Sequence, residues 1–309
     1  IVGIILLWKG SDMLVDGTSK IALQLGVSTL IVSVLLVGFG TSSPEFAISV
    51  GSAIQNDPDS AGISLGNIIG SCVANLLLVL GVAAIIKPIS IKKSIIKREA
   101  PIMLIATIIF LILSFSNLLD EYHFIGGIIF LISFSAFLLY FIKCAKKERE
   151  NKKGIDSEKL QKNILFIFLG IAGVVMGAWL LIESAVSIAD FLGVPALFIA
   201  LSMVAVGTSL PELVVSSMAV YRNKDDIAIG NVLGSNVFNI LLILGVSSLF
   251  IPLNAIFSMD HIFILFIITL IIFPILYTGH KISRIEGLFM LLIYSIFIWY
   301  VFFGYALLS

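Results

Sequence analysis

Two polar segments of nearly the same sequence interrupt long hydrophobic stretches of this chain. Residues 40–45 read Gly-Thr-Ser-Ser-Pro-Glu, and residues 207–212 read Gly-Thr-Ser-Leu-Pro-Glu. A second pair follows them, because residues 66–75 and 230–239 share a Gly-Asn, a Gly-Ser and a final Asn. A carboxylate at the centre of a membrane helix costs roughly 2.5–3.5 kcal/mol, so two at matching positions indicate a shared task. Duplicated, interrupted membrane helices point to a central binding site between two halves of a membrane protein.

Composition supports a membrane location for most of the chain. It is 59% hydrophobic and 12% charged, with a mean hydropathy of +1.14, whereas soluble domains carry about 25% charged residues. We therefore predict an all-α integral membrane protein with little room for a soluble domain. The two cysteines, Cys72 and Cys144, support neither a disulfide framework nor a thiolate metal site, and no cofactor is expected.

Hydrophobic length divides the chain into ten predicted transmembrane helices, because a hydrocarbon core of about 30 Å needs about 20 helical residues. These spans are predicted at residues 1–23, 29–54, 61–86, 99–117, 124–143, 162–189, 195–221, 226–250, 261–279 and 285–307.

Charged residues separate the connections between spans into two sets. Of the nineteen Lys and Arg residues, all but Lys9 lie in or beside alternate connections, most densely in residues 143–162. The other connections contain Asp and Glu but no Lys or Arg, for example Asp57 and Asp120. Because basic loops stay in the cytoplasm, we predict a multi-pass plasma-membrane protein with both termini outside and a cytoplasmic basic loop at 144–161.

The repeat extends beyond the motifs. Glu212 follows Glu45 by 167 residues, and Asn239 follows Asn75 by 164 residues. Five spans in each copy is an odd number, so the second copy must cross the membrane in the opposite direction. The predicted organisation is a first five-helix repeat at 1–143 (motif 36–81), a basic cytoplasmic linker at 144–161, and a second, inverted repeat at 162–309 (motif 203–245).

The first motif predicts a helix broken inside the membrane. Pro44 has no N–H group and clashes with the preceding turn, and Gly38 weakens the helix before it. Backbone carbonyls freed in a membrane must be satisfied by neighbours, water or an ion. The hydroxyls of Thr41 and Ser42 and the carboxylate of Glu45 would then form an oxygen cluster, which the second copy repeats with Thr208, Ser209 and Glu212.

Carboxylate, carbonyl, hydroxyl and amide oxygens are the ligands that Ca²⁺ and Na⁺ prefer. Asn75 and Asn239 follow Ser71 and Ser235 by four residues, so each pair shares a helix face and adds amide oxygens. The nearby glycines at 66, 70, 230 and 234 would let these helices approach their neighbours closely. Small-residue packing, a simple proline kink or interhelical Asn contacts explain any one of these features, but not their duplication. The pattern therefore favours an ion site.

Four other charged residues have weaker interpretations. Lys9 and Asp12 are close in the first span, and we expect them to pair within the helix bundle. Asp16 and Glu183 match between the repeats, which leaves open whether they line an ion path or cap a helix end.

At these motifs the sequence resembles the calcium/cation antiporter superfamily, specifically its prokaryotic sodium/calcium exchanger branch. The two motif blocks resemble the α-repeats of that family, and the ten-span layout resembles its whole fold. The resemblance implies alternating access of one central site to Ca²⁺ and Na⁺, with the Na⁺ gradient expelling Ca²⁺. It implies this set of ligands: Glu45 and Glu212 as shared carboxylates; Asn75 as an amide; Thr41, Ser42, Ser71, Thr208, Ser209 and Ser235 as hydroxyls; and Gly38 and Ala205 as backbone carbonyls.

One position departs from the family pattern, since these exchangers often carry Asp where this chain has Asn239. Two carboxylates give the site a formal charge of −2, which one Ca²⁺, two Na⁺ or two H⁺ would balance. A third Na⁺ would leave a buried excess charge, so we expect weaker support for three-sodium exchange. Exchange of Ca²⁺ for H⁺ or another monovalent cation on the same scaffold therefore stays open, because a buried Glu can take up a proton.

Other classes of function fit the sequence less well. A passive cation channel would usually form its filter from several subunits, whereas here one chain supplies both halves. An intramembrane enzyme would need a nucleophile beside its two carboxylates, and ATP-driven pumping would need a phosphate-binding motif. The expected partners are Ca²⁺, Na⁺ and the lipid bilayer, with no nucleic acid and a monomeric functional unit.

Overall fold

The computed structural model describes residues 1–55, 60–149, 157–192, 207–253, 255, 259–277 and 280–308. The helices, in chain order, are α1 (Val2–Leu25), α2 (Thr29–Thr41), α3 (Ser43–Gln55), α4 (Ser60–Ile86), α5 (Lys93–Lys97), α6 (Glu99–Phe115), α7 (His123–Arg149), α8 (Ser157–Phe191), α9 (Leu210–Tyr221), α10 (Asp225–Ser247), α11 (Met259–Tyr277) and α12 (Arg284–Leu308). Two short strands, β1 (Ile89–Ser90) and β2 (Lys281–Ile282), pair antiparallel with Ile89 opposite Ile282.

The helical membrane architecture expected from composition is confirmed. Among the described residues, seven helices are long and apolar enough to cross a membrane, and the bent pair α2–α3 makes an eighth span. Helix α1 is of similar length but carries charged residues, including Lys9 and Asp12. The first part of the predicted span at 195–221, residues 195–206, lies outside the described residues, which resume at Gly207 just before α9. The count of ten and the inverted repeat therefore stay predictions.

The two helices that carry the second motifs form the centre of the molecule. In the membrane-length window of α10, 94% of residues are buried, and the corresponding share in α4 is 78%. In the peripheral helices α8 and α12 the share falls to 28% and 22%. The polar residues of α4 and α10 are therefore enclosed by protein, as polar groups at membrane depth must be.

The break in the first motif lies where Pro44 predicts it. Helices α2 and α3 meet at an angle of 49°, and Ser42 between them has φ −79° and ψ 9°. Helix α2 begins after Ser28, whose side chain accepts a hydrogen bond from the Ile31 amide at 3.4 Å. Directly after α1, Gly26 caps the helix in the left-handed conformation, with φ 72°, that favours glycine.

Three π-helical segments within the described residues were not predicted from the sequence. They occupy Ser33–Val37 in α2, Asn75–Val79 in α4 and Phe238–Ile243 in α10. Such segments shift the helix register and are common at functional sites. Both asparagines proposed as ligands, Asn75 and Asn239, lie in them.

Helices α1 and α8 form a close pair through facing glycines. A Cβ atom added to Gly10 would lie 2.7 Å from the Val174 amide nitrogen, and one added to Gly177 would lie 2.8 Å from the Gly3 carbonyl oxygen. Real side chains do not tolerate such approaches, so these glycines set the spacing of the two helices. Small residues at such positions are typical of tightly packed membrane helices.

The close packing expected at the motif glycines is confirmed in α10. A Cβ at Gly230 would lie 2.9 Å from the Cβ of Ser33, and one at Gly234 would lie 2.8 Å from the Val34 carbonyl oxygen. At Gly66 and Gly70 in α4, an added Cβ meets no described atom within 4 Å. The segment related by the repeat to Ser33 and Val34, residues 200–201, lies outside the described residues.

Candidate ion-binding site

Glu45 and Glu212 occupy the same position on two equivalent backbones. Each lies in the first turn of the helix that follows a break, α3 for Glu45 and α9 for Glu212, and each is fully buried. The preceding residues have nearly the same conformation, with φ −79° and ψ 9° at Ser42 and φ −84° and ψ 5° at Ser209. In both copies a proline is the second residue of the new helix. The carboxylates thus lie at helix N-termini, where negative charge is favoured.

The first copy holds its glutamate backbone in place with an asparagine. The Asn67 side chain donates from Nδ2 to the carbonyl of Glu45 at 3.3 Å and to the Ser49 hydroxyl at 2.9 Å. Asn67 is fully buried, and it connects α4 to the first turn of α3. This contact fixes where the Glu45 side chain begins.

The second copy repeats that contact. Asn231 donates from Nδ2 to the carbonyl of Glu212 at 3.5 Å and to the Ser216 hydroxyl at 3.1 Å. Asn67 and Asn231 belong to the Gly-Asn echo, but sequence reasoning assigned them no role. Their duplicated position was the signal that could have identified them.

Hydroxyl groups join the two copies across the site. Thr41 and Ser235 lie 3.4 Å apart between their oxygens, and Ser71 and Thr208 lie 3.0 Å apart. In each pair, one residue comes from a broken helix of one copy and the other from the central helix of the other copy. Four of the six predicted hydroxyl ligands are therefore paired across the two copies.

Among the described residues, only one of the two carboxylate oxygens of Glu212 accepts hydrogen bonds. Its Oε1 accepts from Ser42 at 3.2 Å and from Ser235 at 3.3 Å, while its Oε2 has no partner among the described residues. The Ser71 and Thr208 hydroxyls lie beside the Glu45 carboxylate, but neither of its oxygens accepts a hydrogen bond of normal geometry from the described residues. The negative charges of the two glutamates also act on each other, which disfavours two bare carboxylates in a buried site.

Of the two predicted backbone ligands, the carbonyls of Gly38 and Ala205, the first lies within the described residues. The Gly38 carbonyl accepts from the Ser235 hydroxyl at 3.2 Å and from the Ser42 amide at 3.2 Å. A Cβ at Gly38 would lie 3.0 Å from the Ser235 amide nitrogen, so glycine permits this close approach of α2 to α10. Ala205 lies outside the described residues.

Several buried oxygens of the cluster have no hydrogen-bond partner among the described residues. Besides those of Glu45 and Glu212, they are Asn75 Oδ1, Asn239 Oδ1 and Ser209 Oγ. Burying acceptors without partners is costly, and a bound cation is a partner of the kind that such oxygens need. No group of three or more His, Cys, Asp and Glu side chains forms within the described part of the chain, so a cation here depends on neutral oxygens as well. That donor set fits Ca²⁺ or Na⁺.

The predicted pairing of Lys9 with Asp12 in the first span is wrong. Asp12 does not pair with Lys9, because its carboxylate forms an ion pair with Arg222 at the end of α9. The long arginine side chain reaches α1 from a neighbouring helix, a contact that sequence proximity could not reveal. Asp16 pairs with Lys20 one turn later at 2.5 Å, and both side chains are about half exposed.

Comparison with known proteins identifies one matching family and several relatives that cover most of the chain. The sequence profile of the sodium/calcium exchanger protein family matches residues 1–143 and 162–303. The chain is 34% identical to the sodium/calcium exchanger MaX1 of Methanosarcina acetivorans over 96% of both proteins, and 35% identical to membrane protein MJ0091 of Methanocaldococcus jannaschii over 96% and 94%. A solved sodium/calcium exchanger from Methanococcus jannaschii superposes with a TM-score of 0.84 at 34% identity, over 96% of this chain and 95% of that one.

Proposed function

This chain belongs to the sodium/calcium exchanger protein family, and from that premise we propose that it exchanges Ca²⁺ for Na⁺ across a membrane as a secondary antiporter. The observation that carries the proposal is the buried cluster around Glu45 and Glu212, whose carboxylate oxygens are incompletely hydrogen-bonded. Such a cluster is stable only with positive charge, and its oxygen ligands match the two ions. The family is one of membrane transporters, not of enzymes.

The proposed site takes one carboxylate, one amide and several hydroxyls from each half of the chain. We assign as ligands Glu45, Glu212, Asn75, Asn239, Thr41, Ser42, Ser71, Thr208, Ser209 and Ser235, with the backbone carbonyls of Gly38 and Ala205. Because Ca²⁺ and Na⁺ use the same oxygens, only one kind of ion can occupy the site at a time. Competition for a single site is the physical basis of exchange.

Ten spans in two inverted repeats are the proposed architecture. Adding α1 and the span that ends with α9 to the eight apolar spans gives ten. Mirrored contacts support the repeat, since Asn67 and Asn231 make equivalent bonds to the two glutamate backbones. The first repeat would comprise 1–143 and the second 162–309, joined by the linker 144–161, so a single chain would be the functional unit.

Contacts between connections support the proposed orientation. On one side, the Ser90 amide donates to Asp225 at 2.8 Å, and Lys92 pairs with Asp226. On the other, the Ala255 amide donates to Asp120 at 2.7 Å. The first pair of connections is basic in both copies, and the second contains Asp120 without basic residues. We place the basic side in the cytoplasm and both termini outside a plasma membrane.

Transport requires the site to open to each side in turn, and inverted repeats provide two related states for this. We propose that α1 and α8 move together past the other helices. Their facing glycines, such as Gly10 and Gly177, bind them to each other. The Asp12–Arg222 ion pair would hold α1 against α9 in one of the two states.

Uptake of radiolabelled Ca²⁺ into proteoliposomes tests the proposed function. Vesicles loaded with Na⁺ and diluted into Na⁺-free buffer should accumulate Ca²⁺, and vesicles with equal Na⁺ on both sides should not. Glu45→Gln and Glu212→Gln should each abolish uptake, while Glu121→Gln, at an exposed position, should not. Uptake that ignores the Na⁺ gradient, or full activity in both site variants, would contradict the proposal.

A further inference from the structure

Asn236 is a buried polar residue of α10 that the proposed ligand set does not include. Its Oδ1 accepts a hydrogen bond from Nδ2 of Asn75 at 3.0 Å. Its own Nδ2 donates to the Cys72 carbonyl at 3.3 Å and faces the Met103 sulfur at 3.9 Å. Asn236 is only 1% exposed, so no water competes for these contacts.

The donor and acceptor of each of these hydrogen bonds follow from the fact that a carbonyl oxygen can only accept. The Cys72 carbonyl can only accept, so the Asn236 atom that faces it must be the donor Nδ2. The opposite atom of the amide, Oδ1, then faces Asn75. Because that oxygen can only accept, Asn75 must present its Nδ2 to it and turn its own Oδ1 away. That Asn75 oxygen is buried without a partner in the described part of the chain.

The other half of the chain lacks this arrangement. The repeat offset of 164 relates Asn236 to Cys72 and Asn75 to Asn239. The side-chain contact of Asn239 among the described residues is with the Cys72 thiol, a weak hydrogen-bonding partner, and its amide has no hydrogen bond of normal geometry there. In the described part of the chain, nothing of comparable strength orients the Asn239 amide.

We propose that Asn236 is a positioning residue that locks the Asn75 amide with its oxygen toward the cation, so that the two asparagines of the site are not equivalent. This inference rests on the proposed function, since it takes the oxygen of Asn75 as a Ca²⁺ ligand. Residues that orient a metal ligand typically affect metal affinity about 10–100-fold. Because the Asn75 oxygen is already oriented, ion binding does not require free energy to rotate the amide.

Equilibrium binding of Ca²⁺ to the purified protein tests this role. Asn236→Leu keeps the side-chain volume but removes both hydrogen bonds, and we expect it to weaken Ca²⁺ binding about tenfold. Asn236→Ala is the second variant if the leucine protein does not fold. Cys72→Ala, at the equivalent position of the other half, is the matched control and should change Ca²⁺ binding less than about twofold.

A double-substitution cycle separates positioning from a general structural role. In an Asn75→Ala background, Asn236→Leu should add almost nothing, because the residue it orients is gone. Equal losses in both backgrounds, or wild-type binding in the Asn236 variants, would overturn the inference. A wild-type protein that binds Ca²⁺ but shows no Na⁺-driven uptake would contradict the proposed function alone. A wild-type protein that binds no Ca²⁺ would contradict both.

Discussion

Glu45 and Glu212 have the same backbone geometry but different hydrogen bonding. Glu212 accepts from Ser42 and Ser235, whereas the Ser71 and Thr208 hydroxyls lie beside Glu45 without a hydrogen bond of normal geometry to its carboxylate. Burial without a partner makes a carboxylate depend on a bound cation for its stability. We therefore expect Glu45 to contribute the larger share of the Ca²⁺ affinity, with Glu212 partly compensated by its hydroxyl donors.

Asn67 and Asn231 should be equally important, because they make equivalent contacts to the two glutamate backbones. We expect Asn67→Ala and Asn231→Ala each to weaken Ca²⁺ binding by about tenfold, since each releases the first turn that carries a ligand. Equilibrium binding to the purified variants measures this. A large loss in one variant with none in the other would show that the two halves are not built alike.

At the scale of helices, the sequence predicted the break but not the local winding. Pro44 and the glycines before it made a bend at Ser42 predictable, since these residues weaken a helix wherever they occur. The π-helical segment at Asn75–Val79 depends on packing between helices, and no residue type encodes it alone. Asn236 was missed for the same reason, because its role comes from a contact with Asn75 more than 160 positions away.

The glycine contact between α1 and α8 should be essential for their packing. Gly10→Leu places a Cβ 2.7 Å from the Val174 amide, so the helices must separate. We expect the substitution to cost about 1–3 kcal/mol of stability and to lower both the melting temperature and the uptake rate. Gly62→Ala, where the added Cβ meets no described atom within 4 Å, is the matched control. An unchanged melting temperature in Gly10→Leu would contradict this packing.

The Asp12–Arg222 ion pair should bias the balance between the two access states. Both side chains are partly exposed, and such pairs contribute about 0–1 kcal/mol. In the proposed orientation, which places Arg222 on the cytoplasmic side, Arg222→Gln should favour opening to the cytoplasm, and the apparent Ca²⁺ affinity there should rise by up to about fivefold. Asp12→Asn should have the same effect. The affinity is measured in vesicles of defined orientation, and opposite effects of the two substitutions would contradict this role.

At the scale of the whole molecule, the helical membrane class and the family were predictable from composition and the doubled motif. Hydrophobic length and motif spacing carry that information without any long-range contact. Which oxygens are left without partners could not be predicted, because it depends on contacts between the halves, such as the one between Ser42 and Glu212. The central position of α4 and α10 likewise appears only once the helices are assembled.

The charge of the site predicts the electrical character of transport. Two buried glutamates balance one Ca²⁺ or two Na⁺, and a third Na⁺ would leave an excess charge in a low-dielectric site. We therefore expect the exchange rate in proteoliposomes to change less than about twofold when a membrane potential is imposed with K⁺ and valinomycin. Robust voltage-sensitive exchange of three Na⁺ for each Ca²⁺ would refute this expectation. Asn239→Asp, which adds a carboxylate, should increase the voltage dependence.

The central claim is that Glu45 and Glu212 form one site shared by Ca²⁺ and Na⁺. Equilibrium binding of radiolabelled Ca²⁺ to the purified chain, at increasing Na⁺ concentrations, tests it most directly. We expect one Ca²⁺ per chain, competitive displacement by Na⁺, and loss of binding in both Glu45→Gln and Glu212→Gln. Two Ca²⁺ per chain, Ca²⁺ binding that Na⁺ does not displace, or full binding in either variant would contradict the claim.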